Sequence, residues 1–355
     1  MLARHKPIFE PITIGKVRIR NRVALAPTYV GMGDDRGNVT DQALCYYYAR
    51  ASGGVGLIIV ELTAITGRYA FSPGKGLGLT SNRHIPGFQD LARVIHWGGA
   101  KAIVQLFLGH GAQAIKGNEK RPIVGPSDIP APLQRDGLPK TIYGLREKEP
   151  DRPRPLTVEE IQGLKSLMID AAIRAKRAGF DGIELHGAHG YLLGQFTSPY
   201  FNQRNDDYGG TPEKRWRLSI EIIKEIKEKL GDSFIVGYRF SAREWIPGGM
   251  ELPESIEMAK AIEDAGADYL SVSHGCYGSI TKVFPKEEGA ILEDASCVKK
   301  EVSIPVMCPN FLSPDRVADA LKDGYVDMVA LSRALLADPL WVRKVKEGRA
   351  EEIRT

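Results

Sequence analysis

Eight short apolar runs recur along the chain, each followed by helical patterning, and few architectures accommodate eight. The runs are Arg22–Pro27, Gly56–Glu61, Lys101–Leu106, Gly182–His186, Phe234–Arg239, Tyr269–Ser273, Ile304–Cys308 and Met328–Ser332. They are β-branched or otherwise apolar at consecutive positions, as parallel strands covered on both faces should be. The segments between them carry helix signals. Thr157 and Glu160 have the spacing of a capping box. Thr211-Pro212 puts proline at a first helical position behind a capping residue. Ala178-Gly179, Ala265-Gly266 and Asp323-Gly324 close helices ahead of the next strand. Eight β/α units in 355 residues predict an α/β fold, a (β/α)8 TIM barrel in one domain over residues 1–355. A doubly wound open sheet is the alternative, but no G-x-G-x-x-G follows the first strand.

Two segments fall outside the repeat. Pro11–Arg20 alternates on both sides of Gly15-Lys16 and reads as a hairpin. It precedes the first core strand, so it is placed as a plug under the barrel floor. Residues 109–155, after the third strand, are rich in Pro, Gly, Lys and Arg, and Gly125–Pro132 cannot form regular structure. Long loops in compact domains are usually functional or disordered. A lid over the barrel mouth is the functional reading, and a surface insertion the alternative.

Composition excludes several classes. A hydrophobic content of 43% is ordinary for a soluble protein, and no apolar run approaches a membrane span. The N-terminus, Met1 to Pro7, lacks a signal-peptide core, so a cytoplasmic location is expected. Cys45, Cys276, Cys297 and Cys308 form no C-x-x-C pair, which argues against disulfides, zinc or an iron–sulfur cluster in this chain. A net charge of +4 with interspersed acids gives no support to nucleic-acid binding.

In a TIM barrel the C-terminal strand ends converge on one site. Here those ends supply Pro27-Thr28-Tyr29, Glu61-Leu62-Thr63, Gln105, His186, Arg239, Ser273-His274, Pro309-Asn310 and Ser332-Arg333. The fourth continues as His186-Gly-Ala-His189-Gly-Tyr191. Two imidazoles and a phenol within six residues are equipment for gripping an oxygen and delivering a proton. Arg239 closes an apolar strand and needs a partner, because an unpaired buried guanidinium is costly. Glu61, Glu184, an anion or an electron-rich ring would each serve. Arg333 opens a helix beside the place where loops seven and eight often bind phosphate.

The stretch His186-x-x-His189-x-Tyr191-Leu192, with Phe196, Ser198-Pro199, Asn202, Arg204 and Tyr208-Gly-Gly210, closely resembles the active-site segment of the Old Yellow Enzyme family of flavin oxidoreductases. The resemblance runs from Pro7 to about Arg354. It implies FMN across the barrel top and NAD(P)H as reductant. Ala26, Pro27, Thr28 and Leu62 resemble the residues against the isoalloxazine, and Gln105 and Arg239 those on its pyrimidine edge. Asn310, Phe311, Ser332 and Arg333 resemble the phosphate site. By the same resemblance His186 and His189 grip a carbonyl oxygen, Tyr191 protonates the α-carbon, and Tyr29 and Tyr277 line the substrate site. The implied activity is ping-pong reduction of an α,β-unsaturated carbonyl, an enone, enoate or enoyl-CoA, in an enzyme that often forms homo-oligomers.

Departures from the family pattern are informative. Tyr29 stands where one subgroup has a redox-tuning cysteine and the trimethylamine dehydrogenase relatives attach their flavin, so FMN is expected to be non-covalent. Cys308-Pro309-Asn310-Phe311 replaces a pair of glycines and resembles the 2,4-dienoyl-CoA reductase branch, yet Tyr277 replaces that branch's histidine, with His274 close by. Lys346–Arg354 resembles the segment ahead of the iron–sulfur cysteines in multidomain relatives, but neither those cysteines nor FAD and NAD(P) domains follow. Three readings stay open: a self-sufficient ene-reductase, a barrel reduced by a partner or further domain, and an amine dehydrogenase or demethylase.

Overall fold

The computed structural model describes residues 2–68, 75–114, 121–132 and 151–354. Its eight apolar strands are β1 (Val23–Leu25), β2 (Leu57–Ala64), β3 (Lys101–Phe107), β4 (Gly182–Gly187), β5 (Ile235–Ser241), β6 (Tyr269–Ser273), β7 (Val306–Pro309) and β8 (Met328–Leu331). Each pairs in parallel with its neighbours in sequence, and β8 pairs with β1, closing the barrel. All eight expected strands are present, and the fold is the TIM barrel.

The period-two alternation of strands divides side chains between two cores. Ile183 and Leu185 of β4, with Val236 and Tyr238 of β5, face the outer helices. Ile103, Ile235, Met307 and Met328 face inward, where Ile14 and Ile19 of the hairpin join them, both fully buried. The hairpin pairs Ile12–Ile14 with Val17–Ile19 and turns at Gly15, whose φ of +55° suits glycine. It is the floor plug that its pattern predicts. An apolar floor leaves the opposite end of the interior to polar groups.

The helices begin and end on their sequence signals. Glu160 N donates to Thr157 Oγ1 at 3.2 Å and Thr157 N to Glu160 Oε2 at 2.9 Å, completing the capping box of Val158–Arg177. Thr211 caps Pro212–Leu230.

Two features differ from expectation. Strand β2 continues three residues past Glu61, and its register with β3 shifts between Val60 and Thr63. This bulge sets Glu61 and Leu62 together opposite Gln105. The loop after β3 is also less irregular than its composition implies, because Val124–Gly125 pairs with Arg154–Pro155 and pins its two limbs together. The lid reading falls largely on residues 115–120 and 133–150, outside the described residues. Among the described residues no helix is long and apolar enough to cross a membrane, and no His/Cys/Asp/Glu cluster could hold a metal.

Candidate active site

The polar end of the interior is built around a buried carboxylate. Register sets Gln105 beside Glu184 and His186 beside Arg239. Gln105 Nε2 donates to Glu184 Oε1 at 2.7 Å, and Tyr269 Oη donates to Glu184 Oε2 at 2.8 Å. Gly237 makes the second bond possible, since a methyl group there would overlap the Tyr269 ring. Burial pushes the Glu184 carboxyl up, against the pull of Arg239 and both donors. Burial lowers Arg239, and Glu184 is the main charge opposing that shift. Of the two carboxylates open to Arg239, Glu184 is therefore the one whose charge acts on it.

Glu61 has a different task. Its Oε2 accepts from the backbone N–H groups of Val30 and Gly31, holding the loop that leaves β1. Burial raises its pKa to about 7. Gln105 Oε1, Arg239 Nε and Glu61 Oε1 are buried without a hydrogen-bond partner among the described residues. An unsatisfied buried group costs about 1–3 kcal/mol. Three such atoms, on β2, β3 and β5, mark a place where a polar ligand belongs.

His186, His189 and Tyr191 leave β4 together. The imidazole centroids are 5.3 Å apart, and Tyr191 lies 5.0 Å from His186. His186 Nδ1 accepts from Ala188 N at 3.4 Å, so the neutral ring carries its proton on Nε2. His189 Nε2 pairs with Ser273 Oγ at 2.7 Å, and His189 N donates to Ser241 Oγ at 2.9 Å. His189 holds φ at +62°, a strained value for a residue with a Cβ. Tyr191 Oη lies 3.1 Å from Tyr277 Oη. Its ring also meets Phe107 at 5.0 Å and His110 at 5.3 Å.

Burial, and then the charge of Arg239, lowers both imidazoles well below the usual histidine pKa. Both rings therefore favour the neutral form, in which each carries one N–H. In nitrogen NMR the two rings are expected to stay neutral through the range around pH 6.5 in which an exposed histidine titrates. Either ring charging in that range would contradict the assignment. The native rings bind fewer protons than the unfolded ones below pH about 6.5, so they lower stability as pH falls through that value.

At the opposite rim Thr28 Oγ1 and Ser332 Oγ meet at 2.7 Å, joining the ends of β1 and β8, and Ala26 N donates to Leu331 O at 2.9 Å. Pro27 lies between Ala26 and Thr28 on this segment. The Arg333 guanidinium donates to Asn310 Oδ1 and to Pro285 O. The expected phosphate residues Asn310, Ser332 and Arg333 thus flank the ends of β7 and β8. The Phe311 side chain is buried in the outer core. Tyr29 is 45% exposed, with its ring beside Gly31 and Gly76.

Residues 7–352 match the model of the NADH:flavin oxidoreductase / NADH oxidase family. The chain belongs to that family. As an FMN barrel of the Old Yellow Enzyme type it is 40% identical to an NADH oxidase of Thermoanaerobacter brockii, over 98% of this chain and 52% of the relative. It is 32% identical to a cinnamate reductase of Clostridium sporogenes, over 100% and 55%. A solved 2-naphthoyl-CoA reductase in complex with 2-naphthoyl-CoA superposes with a TM-score of 0.89 at 30% identity, over 99% and 54%. The chain spans about half the length of each.

The residues present fit the family's FMN. The free Gln105 Oε1 offers an acceptor and Arg239 Nε a donor, the complement of the alternating N–H and C=O groups on a flavin's pyrimidine edge. Leu62 is half-buried at the bulge opposite Gln105, and Ala26 is buried on the β1 side. Sequence reasoning did not find His110 or Gln113. Gln113 donates to His189 O at 2.9 Å and accepts from Tyr277 N at 2.8 Å, tying three loops together. The signal available was Gly109-His110-Gly111 directly after a barrel strand.

Proposed function

We propose that this flavin barrel reduces the C=C bond of an α,β-unsaturated carbonyl compound. One observation carries the reading. Two neutral imidazoles lie 5.3 Å apart at one strand end, with a phenol 5.0 Å from one and 6.3 Å from the other, and His186 pairs in register with Arg239, one of the groups that fit a flavin. Neutral N–H donors suit a carbonyl oxygen that gains negative charge during reaction, and a donor of this kind is worth about 2.7–4 kcal/mol in the transition state. His186 offers Nε2–H, and Ser273 orients the ring of His189. FMN when bound supplies the hydride to the β-carbon after reduction by NAD(P)H. Tyr191 then delivers a proton to the α-carbon, with Tyr277 within hydrogen-bond distance of its hydroxyl. Relatives named cinnamate reductase and 2-naphthoyl-CoA reductase support reduction of a conjugated acid or thioester.

A second reading rests on the half-length matches. In it, a partner or further domain delivers the electrons. Anaerobic titration of the purified protein with NADH and NADPH, followed by flavin absorbance, separates the two. Bleaching by either, then reoxidation by an enone or a cinnamate-type enoate, is the expected result. A bleached flavin that no unsaturated carbonyl reoxidises would refute the reductase reading. Reduction by dithionite but by neither nicotinamide would establish the partner-dependent one.

A further inference from the structure

The segment Pro285–Gly289, on the loop after β6, is tied at three points to Asn310 and Arg333 and at a fourth to the backbone that follows Asn310. Pro285 O accepts from Arg333 at 3.0 Å, Glu287 O accepts from the Asn310 amide, and Gly289 N donates to Asn310 O at 2.9 Å. Glu288 makes the fourth tie with its side chain. Its Oε1 accepts from Leu312 N at 2.8 Å and from Ser313 N at 2.7 Å.

Those two N–H groups lead directly into the helix Pro314–Lys322, whose N-cap Ser313 makes no side-chain cap of its own. The first N–H groups of a helix lack intrahelical partners and attract anions. Asp315 lies in the first turn, and Glu288 adds, from a different loop, the side-chain acceptor that Ser313 does not provide. With those donors occupied by Glu288, they are closed to a phosphate arriving at this edge, where Arg333 supplies the cation. Asn310 stands between, at φ +72°, with its amide and backbone oxygen all engaged by the segment and by Arg333. A strained residue persists when its surroundings over-determine it, and here the segment does so.

We propose that Pro285–Gly289 is a clasp on the phosphate end of the cofactor site, with Glu288 as the positioning residue that holds Asn310 and Arg333 in place. The inference rests on the assignment of Asn310 and Arg333 to the FMN phosphate.

The test compares FMN with riboflavin, which has the same ring system and no phosphate. Release of FMN from the holoenzyme and affinities of the reloaded protein are read by flavin fluorescence for Glu288→Ala, Glu288→Gln and Arg333→Ala. Glu288→Ala is expected to weaken FMN by about 10- to 100-fold, the scale of one charge-assisted contact, and to leave riboflavin within about twofold. Equal weakening of both flavins would show a general structural role and overturn the proposal. Unchanged or tighter FMN binding would overturn it too, the latter exposing the carboxylate as a competitor of the phosphate. If Glu288→Ala does not fold, the isosteric Glu288→Gln carries the same comparison. FMN binding that survives Arg333→Ala would refute the phosphate assignment itself. Binding that Arg333→Ala weakens and the Glu288 variants do not would refute the clasp alone.

Discussion

Replacing Tyr191 by phenylalanine is expected to slow alkene reduction by about 10²–10⁴, the usual contribution of a general acid. Reduction of the flavin by NAD(P)H should be nearly unchanged, because no proton is delivered to a carbon in that half-reaction. The ring itself is held by packing, with His186, Phe107 and His110 around it at 5.0–5.3 Å, so the variant keeps its shape and loses one hydroxyl. Rapid-reaction measurement of the two half-reactions separates the effects. Equal loss in both would refute the proton-donor role and point to a displaced flavin. Tyr277 sets the size of the loss, since its hydroxyl is 3.1 Å from the one removed. If it can take over, the single variant falls near the low end of the range and Tyr191→Phe with Tyr277→Phe falls further.

Local pattern made most of the barrel legible. Consecutive apolar residues mark doubly covered strands, and Thr157 with Glu160 marks a helix start, because each depends on neighbours a few residues away. The plug was readable for the same reason, from alternation around Gly15-Lys16. Residue type alone left open which carboxylate acts on Arg239, and the fold brings the charge of Glu184, not Glu61, to bear on it. Gln105, Glu184 and Tyr269 come from three strands, and only their pairing joins them. The bulge that brings Leu62 level with Gln105 has no local mark, since both sides of it remain strand-like. Gln113 and Glu288 escaped for a related reason. Each acts by linking loops far apart in sequence, His189 to Tyr277 in one case and the β6 loop to the β7 loop in the other. Phe311 shows the limit of adjacency for placing a side chain. It follows Asn310 in sequence, yet its side chain turns into the outer core.

Removal of both imidazoles is expected to abolish tight binding of phenolic ligands, whose ionised oxygen mimics the polarised carbonyl. Two hydrogen bonds to a charged oxygen are worth about 1.5–3 kcal/mol each, so affinity should fall about 10²–10⁴-fold. The substitution must respect the backbone. His189 sits at φ +62°, where alanine would add strain and glycine would not. The informative variant is therefore His186→Ala with His189→Gly. Ser273→Ala is the companion, because it removes the hydroxyl that orients the His189 ring at 2.7 Å and keeps both imidazoles. A graded loss, small for Ser273→Ala and large for the double variant, would follow from an oxygen held by two oriented donors. Spectral titration of the holoenzyme with a substituted phenol measures it. Because both rings are neutral in the native state, binding of the preformed phenolate should lose little strength across neutral pH. A steep rise on acidification would mean that an imidazolium is the true donor. Undiminished binding to the double variant would place the oxygen elsewhere in the barrel mouth and remove the basis for assigning carbonyl activation to this strand end.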